Sequence, residues 1–276
     1  MPIDLDAYLH RIGHAGPRVP SLATLQAVHR QHAEAIAFEN LNPFLGWPVL
    51  LDSASLERKL VHGGRGGYCF EHNILLQHAL TQLGFRVTGL AARVRWNVPA
   101  DAVTPRGHML LLVDLDDGPR IVDAGFGGMT LTGPLRLDTD AAQPTPHGPF
   151  RIRPEGRDHV MEAEVRGEWK ALYRFDLQPQ YQVDYEVSSW YLSTRPDSHF
   201  VTGLIAARPA GDGRRYGLRN TEFTIHHPDG STERRRLTTL AELRRTLEGP
   251  FRLTLPDAPE VDRALDHLVA GARGAA

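Results

Sequence analysis

The sequence predicts an α+β fold laid out in three consecutive parts, and three observations carry that reading. Through about residue 88, apolar side chains recur at helical spacing. From 89 to 203 the period shortens toward two and hairpin turns appear. Beyond 204, strand and helix patterns alternate. The chain has 276 residues, enough for one large domain or for smaller units that share cores. The expected boundaries are therefore 1–88, 89–203 and 204–276.

The first part is read as helices. Leu5, Tyr8, Leu9 and Ile12 fall on one stripe, and Ser21 is placed to cap a helix carrying Leu22, Leu25 and Val28. Ser53 or Ser55 starts a short helix with Leu56 and Leu60, which Gly63-Gly64 stops. A stronger helix follows Cys69, with Phe70, Ile74, Leu75, Ala79, Leu80 and Leu83 as its apolar face and Gly84 at its end. In the middle part, Phe85 to Trp96 reads as extended chain with Leu90, Ala92, Val94 and Trp96 on one face. His108 to Val113, the turn Asp116-Asp117-Gly118 and the run Ile121-Val122-Asp123 give a hairpin, and Val160–Val165 with Trp169–Phe175 gives another. A barrel or a sandwich fits this pattern. In the last part, Phe223–Ile225 and Pro228-Asp229-Gly230 read as strand and turn. Thr239 and Glu242 form a capping box for a helix with Leu240, Leu243 and Leu247. A final helix carries Val261, Leu265 and Leu268, with fraying expected after Ala270.

Composition narrows the chemistry. A formal net charge of −2 provides no global field toward nucleic acid or anionic lipid. No run of about eighteen apolar residues is present to span a membrane. The N-terminus shows neither the basic stretch nor the apolar core of a signal peptide, so a cytoplasmic location is expected. The 14 histidines include the pairs His29/His32 and Glu71/His72, but no zinc-ligand pattern, so no metal is expected. A single cysteine, Cys69, excludes an internal disulfide and a Cys-rich metal site.

That cysteine sits in the most informative segment, Arg65-Gly66-Gly67-Tyr68-Cys69-Phe70-Glu71. Two glycines permit a tight backbone approach, and a helix opens at or near Cys69. A thiol at a helix N-terminus faces unpaired amide donors and the positive end of the dipole, both of which favour a thiolate. The same amides suit a developing oxyanion. A thiol nucleophile needs a base, and the base an orienter. His108 opens an apolar strand, and Asp123 closes the strand paired with it. An even number of loop residues would put both side chains on one face and an odd number on opposite faces. Pro119 blurs the register and leaves that point open.

Arg65–Glu71, Gly107-His108-Met109 and Val122-Asp123-Ala124-Gly125-Phe126-Gly127 resemble, in order and spacing, the three catalytic motifs of the arylamine N-acetyltransferase family, bacterial type. Phe38-Glu39-Asn40-Leu41 and Trp190–Phe200 are similar to two further segments of that family. The resemblance runs to about Phe200. One departure is His72, where the family more often has Gln.

The resemblance implies a Cys69–His108–Asp123 triad and a ping-pong cycle through a thioester, with acetyl-CoA as co-substrate. It implies a helical bundle, a β-barrel and an α/β lid around a cysteine-protease-like core. Phe38, Val94, Phe126 and Phe200 would line the acceptor pocket, and Gly125 and Gly127 would let the backbone approach CoA. The acceptor would be a small aromatic amine, hydrazine or N-hydroxyarylamine, as in xenobiotic metabolism, and the enzyme a monomer or homodimer. Two other activities use the same triad: a macrolactam-forming amide synthase that loads from a carrier protein, and a Cys-His-Asp hydrolase.

Overall fold

The computed structural model describes residues 2–99 and 101–274. It opens with helices α1 (Leu5–Ile12) and α2 (Leu22–Ala35), the two-residue strand β1 (Phe38–Glu39), and the short helices α3 (Leu41–Phe44) and α4 (Ser53–Leu56). A π-helical turn, Glu57–His62, continues α4, and α5 (Cys69–Gln82) follows. Ser21 caps α2 by accepting from the Thr24 amide at 3.2 Å. The cap of α4 is Asp52, whose Oδ1 accepts from Ser55 N at 2.9 Å, and not either serine. An acidic cap just outside the helix has the stronger acceptor and suits the positive helix end.

The middle part forms strands β2 (Arg86–Val94), β3 (His108–Asp114), β4 (Arg120–Val122), β5 (Leu135–Arg136), β6 (Gln143–Thr145), β7 (Gly148–Glu155), β8 (Asp158–Val165) and β9 (Glu168–Phe175). They make one antiparallel sheet in the order β5-β4-β3-β2-β9-β8-β7-β6. Its two edges meet through a side chain: Gln143 Oε1 accepts from Arg136 N at 2.8 Å, and its Nε2 donates to Arg136 O at 3.0 Å. The primary amide thus stands in for a missing ladder pair, and the sheet is a nearly closed barrel, which decides between barrel and sandwich. The unbroken apolar run of β3 now has a reason, because both faces are buried. Leu110 faces the barrel interior with Leu90, Ile121, Phe150 and Tyr173. Met109, Leu111 and Val113 face α5 and share its core.

The chain continues through α6 (Gln182–Thr194), α7 (His199–Thr202), β10 (Ile205–Pro209), β11 (Arg215–Arg219), β12 (Glu222–His226), β13 (Thr232–Arg236), α8 (Leu240–Glu248) and α9 (Pro259–Gly274). Helix α9 stays helical past Ala270 to Gly274. The second sheet has the order β1-β10-β11-β12-β13, so its edge strand comes from the N-terminal part, with Phe38 opposite Ala207. Ala37 and Leu41 share a core with Leu218, Phe223, Leu247 and Phe251. Apolar periodicity does not announce α6, because Val183, Val187 and Trp190 stay exposed while Tyr185 and Ser189 are buried. Among the described residues no helix is long and apolar enough to cross a membrane.

Candidate active site

The β3–β4 pairing settles the register. Val113 pairs with Arg120 and Leu111 with Val122, which leaves residues 114–119, an even number, in the loop. His108 and Asp123 therefore share the barrel-interior face, at the end where α5 begins. His108 Nε2 donates to Asp123 Oδ2 at 2.7 Å, and both side chains are buried. The other carboxylate oxygen accepts from Asn73 Nδ2 at 3.0 Å and from the Gly125 amide at 2.9 Å. Burial alone would raise the Asp123 carboxyl, but the charge and hydrogen bond of His108, helped by Asn73 and Gly125, hold it below its usual range. Burial would likewise lower His108. Asp123 first, and then a hydrogen bond and charge interaction with Cys69, reverse that and push the imidazole up to about 10. Because Nε2 is committed to Asp123, Nδ1 is the ring nitrogen left for the thiol.

Cys69 is the first residue of α5 and is buried, with Sγ 3.7 Å from the Gly107 carbonyl. Glu71 Oε2 accepts from the Tyr68 amide at 3.1 Å just before the helix, and the Tyr68 side chain makes no hydrogen bond to the helical amides that follow. Gly125 explains how the Asp123 loop comes so close: a Cβ there would sit 2.7 Å from Cys69 Cα and 3.0 Å from Asn73 Nδ2. The bare Cα of Gly125 is thus used by the nucleophile helix itself. Gly127 adopts φ +66° against the ring of Phe38, and Gly128 faces open space.

The turn before Cys69 rests on buried charge. Arg65 holds Glu39 through Nε and Nη2 at 2.9 and 2.7 Å, and Lys59 holds Glu71 at 2.7 Å. Burial pushes Glu39 up, but Arg65 and Lys59 outweigh it and leave the carboxyl low. In Glu71 burial wins despite Lys59, and the carboxyl is raised. Asn40 donates to the carbonyls of Phe200 and Gly203, both at 2.7 Å, and accepts from Ile205 N at 2.6 Å. The Phe38–Leu41 motif therefore clamps the nucleophile turn to α7 and β10.

The four pocket candidates fall into two groups. Phe38 and Phe200 meet with ring centroids 6.2 Å apart, and Phe200 stands edge-on to Tyr68 at 5.4 Å. Phe126 packs edge-on against His108 at 5.0 Å and also against Tyr173. Val94 is half-buried at the end of β2, opposite Tyr173. The motif reading missed Asn73 and Tyr173. Asn73 lies one turn after Cys69, and its Oδ1 accepts from the Ala124 amide at 3.1 Å. A polar residue on that helix face needs a partner, which is the available signal. Tyr173 is buried beside His108, with ring centroids 4.8 Å apart, and its hydroxyl faces Asp123. Burial first, and the Asp123 charge second, keep that hydroxyl protonated.

Three more histidines are buried around the site. Burial lowers His29 to about 4 despite its hydrogen bond to the Asp123 carbonyl, lowers His72 to about 4, and holds His32 well below 6.5. The unfolded chain takes up a proton at each near pH 6.5, while in the folded chain His29 and His72 do so only near 4 and His32 only well below 6.5. Acidification through that window therefore favours unfolding, by about 3 kcal/mol for each of His29 and His72. A melting temperature that drops steeply between pH 6.5 and 4, with a smaller drop in His29→Asn, is the expected result. A flat profile there would contradict neutral buried imidazoles.

A family profile described as N-acetyltransferase matches residues 21–261. An arylamine N-acetyltransferase from Mycolicibacterium smegmatis is 45% identical over 261 residues, covering 93% of this chain and 94% of the relative. A Salmonella typhimurium protein named arylamine N-acetyltransferase / N-hydroxyarylamine O-acetyltransferase is 40% identical over 92% of this chain and 90% of its own length. The structure of Mycobacterium marinum arylamine N-acetyltransferase in complex with CoA superposes with a TM-score of 0.92 at 43% identity, covering 96% of this chain and 99% of that one.

Proposed function

Because this chain belongs to the arylamine N-acetyltransferase family, we propose that it moves an acetyl group from acetyl-CoA to an arylamine, arylhydrazine or N-hydroxyarylamine through a thioester on Cys69. The observation that carries the reading is the buried His108–Asp123 pair, 2.7 Å apart, with its free ring nitrogen left for a cysteine at a helix start. His108 Nδ1 takes the thiol proton, and Sγ attacks the acetyl carbonyl carbon. The leading amides of α5 are the donors for the oxyanion. As the carbon–sulfur bond to the departing thiol breaks, His108 returns the proton to it, and Cys69 keeps the acetyl group. In the second half the amine nitrogen attacks the Cys69 thioester, His108 accepts the nitrogen's proton, and Sγ leaves and is reprotonated. Asp123 holds the same tautomer in both halves.

Aryl amines are neutral at pH 7, so positioning against the thioester matters more than deprotonation. Phe38 and Phe200 on one side and Phe126 on the other supply an apolar surface suited to an aromatic ring. Gly127 presents bare backbone beside Phe38, which suits the approach of the CoA arm. The relatives' names favour transfer to an amine over water, or over loading from a carrier protein.

The test is intact mass after mixing with acetyl-CoA. One acetyl group should appear, map to Cys69, and disappear on addition of an aryl hydrazine. Acetyl-CoA should also protect Cys69 from iodoacetamide. Alkylation at a model-thiol rate, with no protection and no mass gain, would leave Cys69 an ordinary buried cysteine.

A further inference from the structure

A second polar chain lies beneath the nucleophile, outside the triad. Tyr8 Oη is 2.9 Å from His32 Nδ1, His32 Nε2 is 2.9 Å from His72 Nδ1, and His72 Nε2 is 3.2 Å from the Ala37 carbonyl. All three side chains are fully buried. The direction of every hydrogen bond is forced from one end. A carbonyl oxygen only accepts, so His72 Nε2 carries a hydrogen. Burial keeps His72 neutral, so its Nδ1 is bare and must accept from His32 Nε2–H. His32 is neutral for the same reason, so its Nδ1 accepts from the Tyr8 hydroxyl.

The carbonyl at the end of this chain is a junction. It also accepts from the Gly67 amide at 3.3 Å, two residues before Cys69. The next residue is Phe38, which forms an isolated parallel bridge with Gly67. Its ring lies parallel to the His72 imidazole, at 5° with centroids 6.4 Å apart. His72 therefore hydrogen-bonds Ala37 through its ring edge and lies parallel to the ring of Phe38, the next residue. None of the three chain members hydrogen-bonds to Cys69, His108 or Asp123.

We propose that His72 is a positioning residue for the acceptor half of the reaction: as the last link of the Tyr8–His32–His72 chain it fixes Ala37 and Phe38, and so sets acceptor capture and not acylation of Cys69. This rests on the thioester reading and on Phe38 as a wall of the acceptor site. Glutamine offers one acceptor oxygen and one donor nitrogen in a planar group, so it can replace both hydrogen bonds of the imidazole. Leucine replaces neither and leaves His32 Nε2–H and Ala37 O short of a partner.

Single-turnover acylation by acetyl-CoA and steady-state transfer to an aryl hydrazine separate the two halves. In His72→Leu the acylation rate should stay within about threefold of wild type while the acceptor KM rises about tenfold, the scale of one lost buried hydrogen bond. His72→Gln should restore that KM to within about twofold. Tyr8→Phe removes only the first donor and should raise the KM about threefold; it decides the question alone if His72→Leu does not fold. In wild-type protein, nitrogen-15 NMR should find both His32 and His72 as the Nε2–H tautomer. An unchanged acceptor KM, a parallel loss of acylation, failure of Gln to rescue, or an Nδ1–H tautomer at either histidine would overturn the proposal. A wild-type chain that never acylates overturns the thioester reading and this proposal with it. Normal acylation with an unmoved KM in the variants overturns this proposal alone.

Discussion

Replacing Asp123 with asparagine is expected to slow acylation of Cys69 by about 10⁴-fold, the cost of the wrong histidine tautomer in related triads, while the chain still folds. The amide keeps the size of the carboxylate. Its oxygen can go on accepting from Asn73 Nδ2 and Gly125 N, which hold that side of the group at 3.0 and 2.9 Å. The amide nitrogen then faces His108 Nε2, where a donor meets a donor. The imidazole escapes by moving its hydrogen to Nδ1, and Nδ1 is the atom that must receive the thiol proton. The charge that lifts His108 to about 10 is lost as well. In wild type the stability contributed by that raised imidazole is complete below pH 6.5 and disappears as the pH rises through about 10. The variant should lose that alkaline dependence. Rapid-quench mass spectrometry measures the acylation step, and circular dichroism checks the fold. Acylation at the wild-type rate would make Asp123 a structural carboxylate and remove it from the mechanism.

Local signals in the sequence reached the parts of this site that are local in the chain. A Gly-Gly turn before a cysteine at a helix start can be read from Arg65 to Glu71 alone, and strand ends at His108 and Asp123 follow from two apolar runs on either side of an Asp-Asp-Gly turn. What pairing adds is not visible there. Whether His108 and Asp123 share a face turns on a loop interrupted by Pro119, and only the Val113–Arg120 pair fixes it. Asn73 looks like one polar residue in an apolar helix until Ala124, fifty-one positions later, needs its Oδ1. Glu39 and Arg65 are twenty-six positions apart, and neither predicts the other. Two residues, Phe38 and Glu39, are too few to show period two, and they become a strand because β10 recruits them. The same recruitment gives the C-terminal sheet an edge strand from the N-terminal part, and places Phe38 where that sheet, the nucleophile turn and α7 meet.

That junction predicts the largest effect of a single methyl group. In Gly66→Ala the added Cβ would lie 1.9 Å from the Ala37 carbonyl oxygen, 2.9 Å from Glu39 Cγ and 3.0 Å from the Ala37 carbonyl carbon. A relaxed carbon–oxygen contact is about 3.3 Å or longer, so something must move by more than about 1 Å. Neither neighbour is free to yield. The Ala37 carbonyl is held by Gly67 N and His72 Nε2, and Glu39 by Arg65 and by the Leu41 amide. The turn itself must shift, and Cys69 is three residues away on a helix that starts from that turn. A displacement of about 1 Å at a reacting atom costs about 10²-fold in rate, and overpacking of this kind costs about 3 kcal/mol. For a chain of this size that lowers the melting temperature by about 5 °C. Gly217→Ala is the control, because a Cβ there meets nothing within 4 Å and should change neither number. If Gly66→Ala melts and acylates like wild type, residues 37–39 are not seated against the nucleophile turn as described.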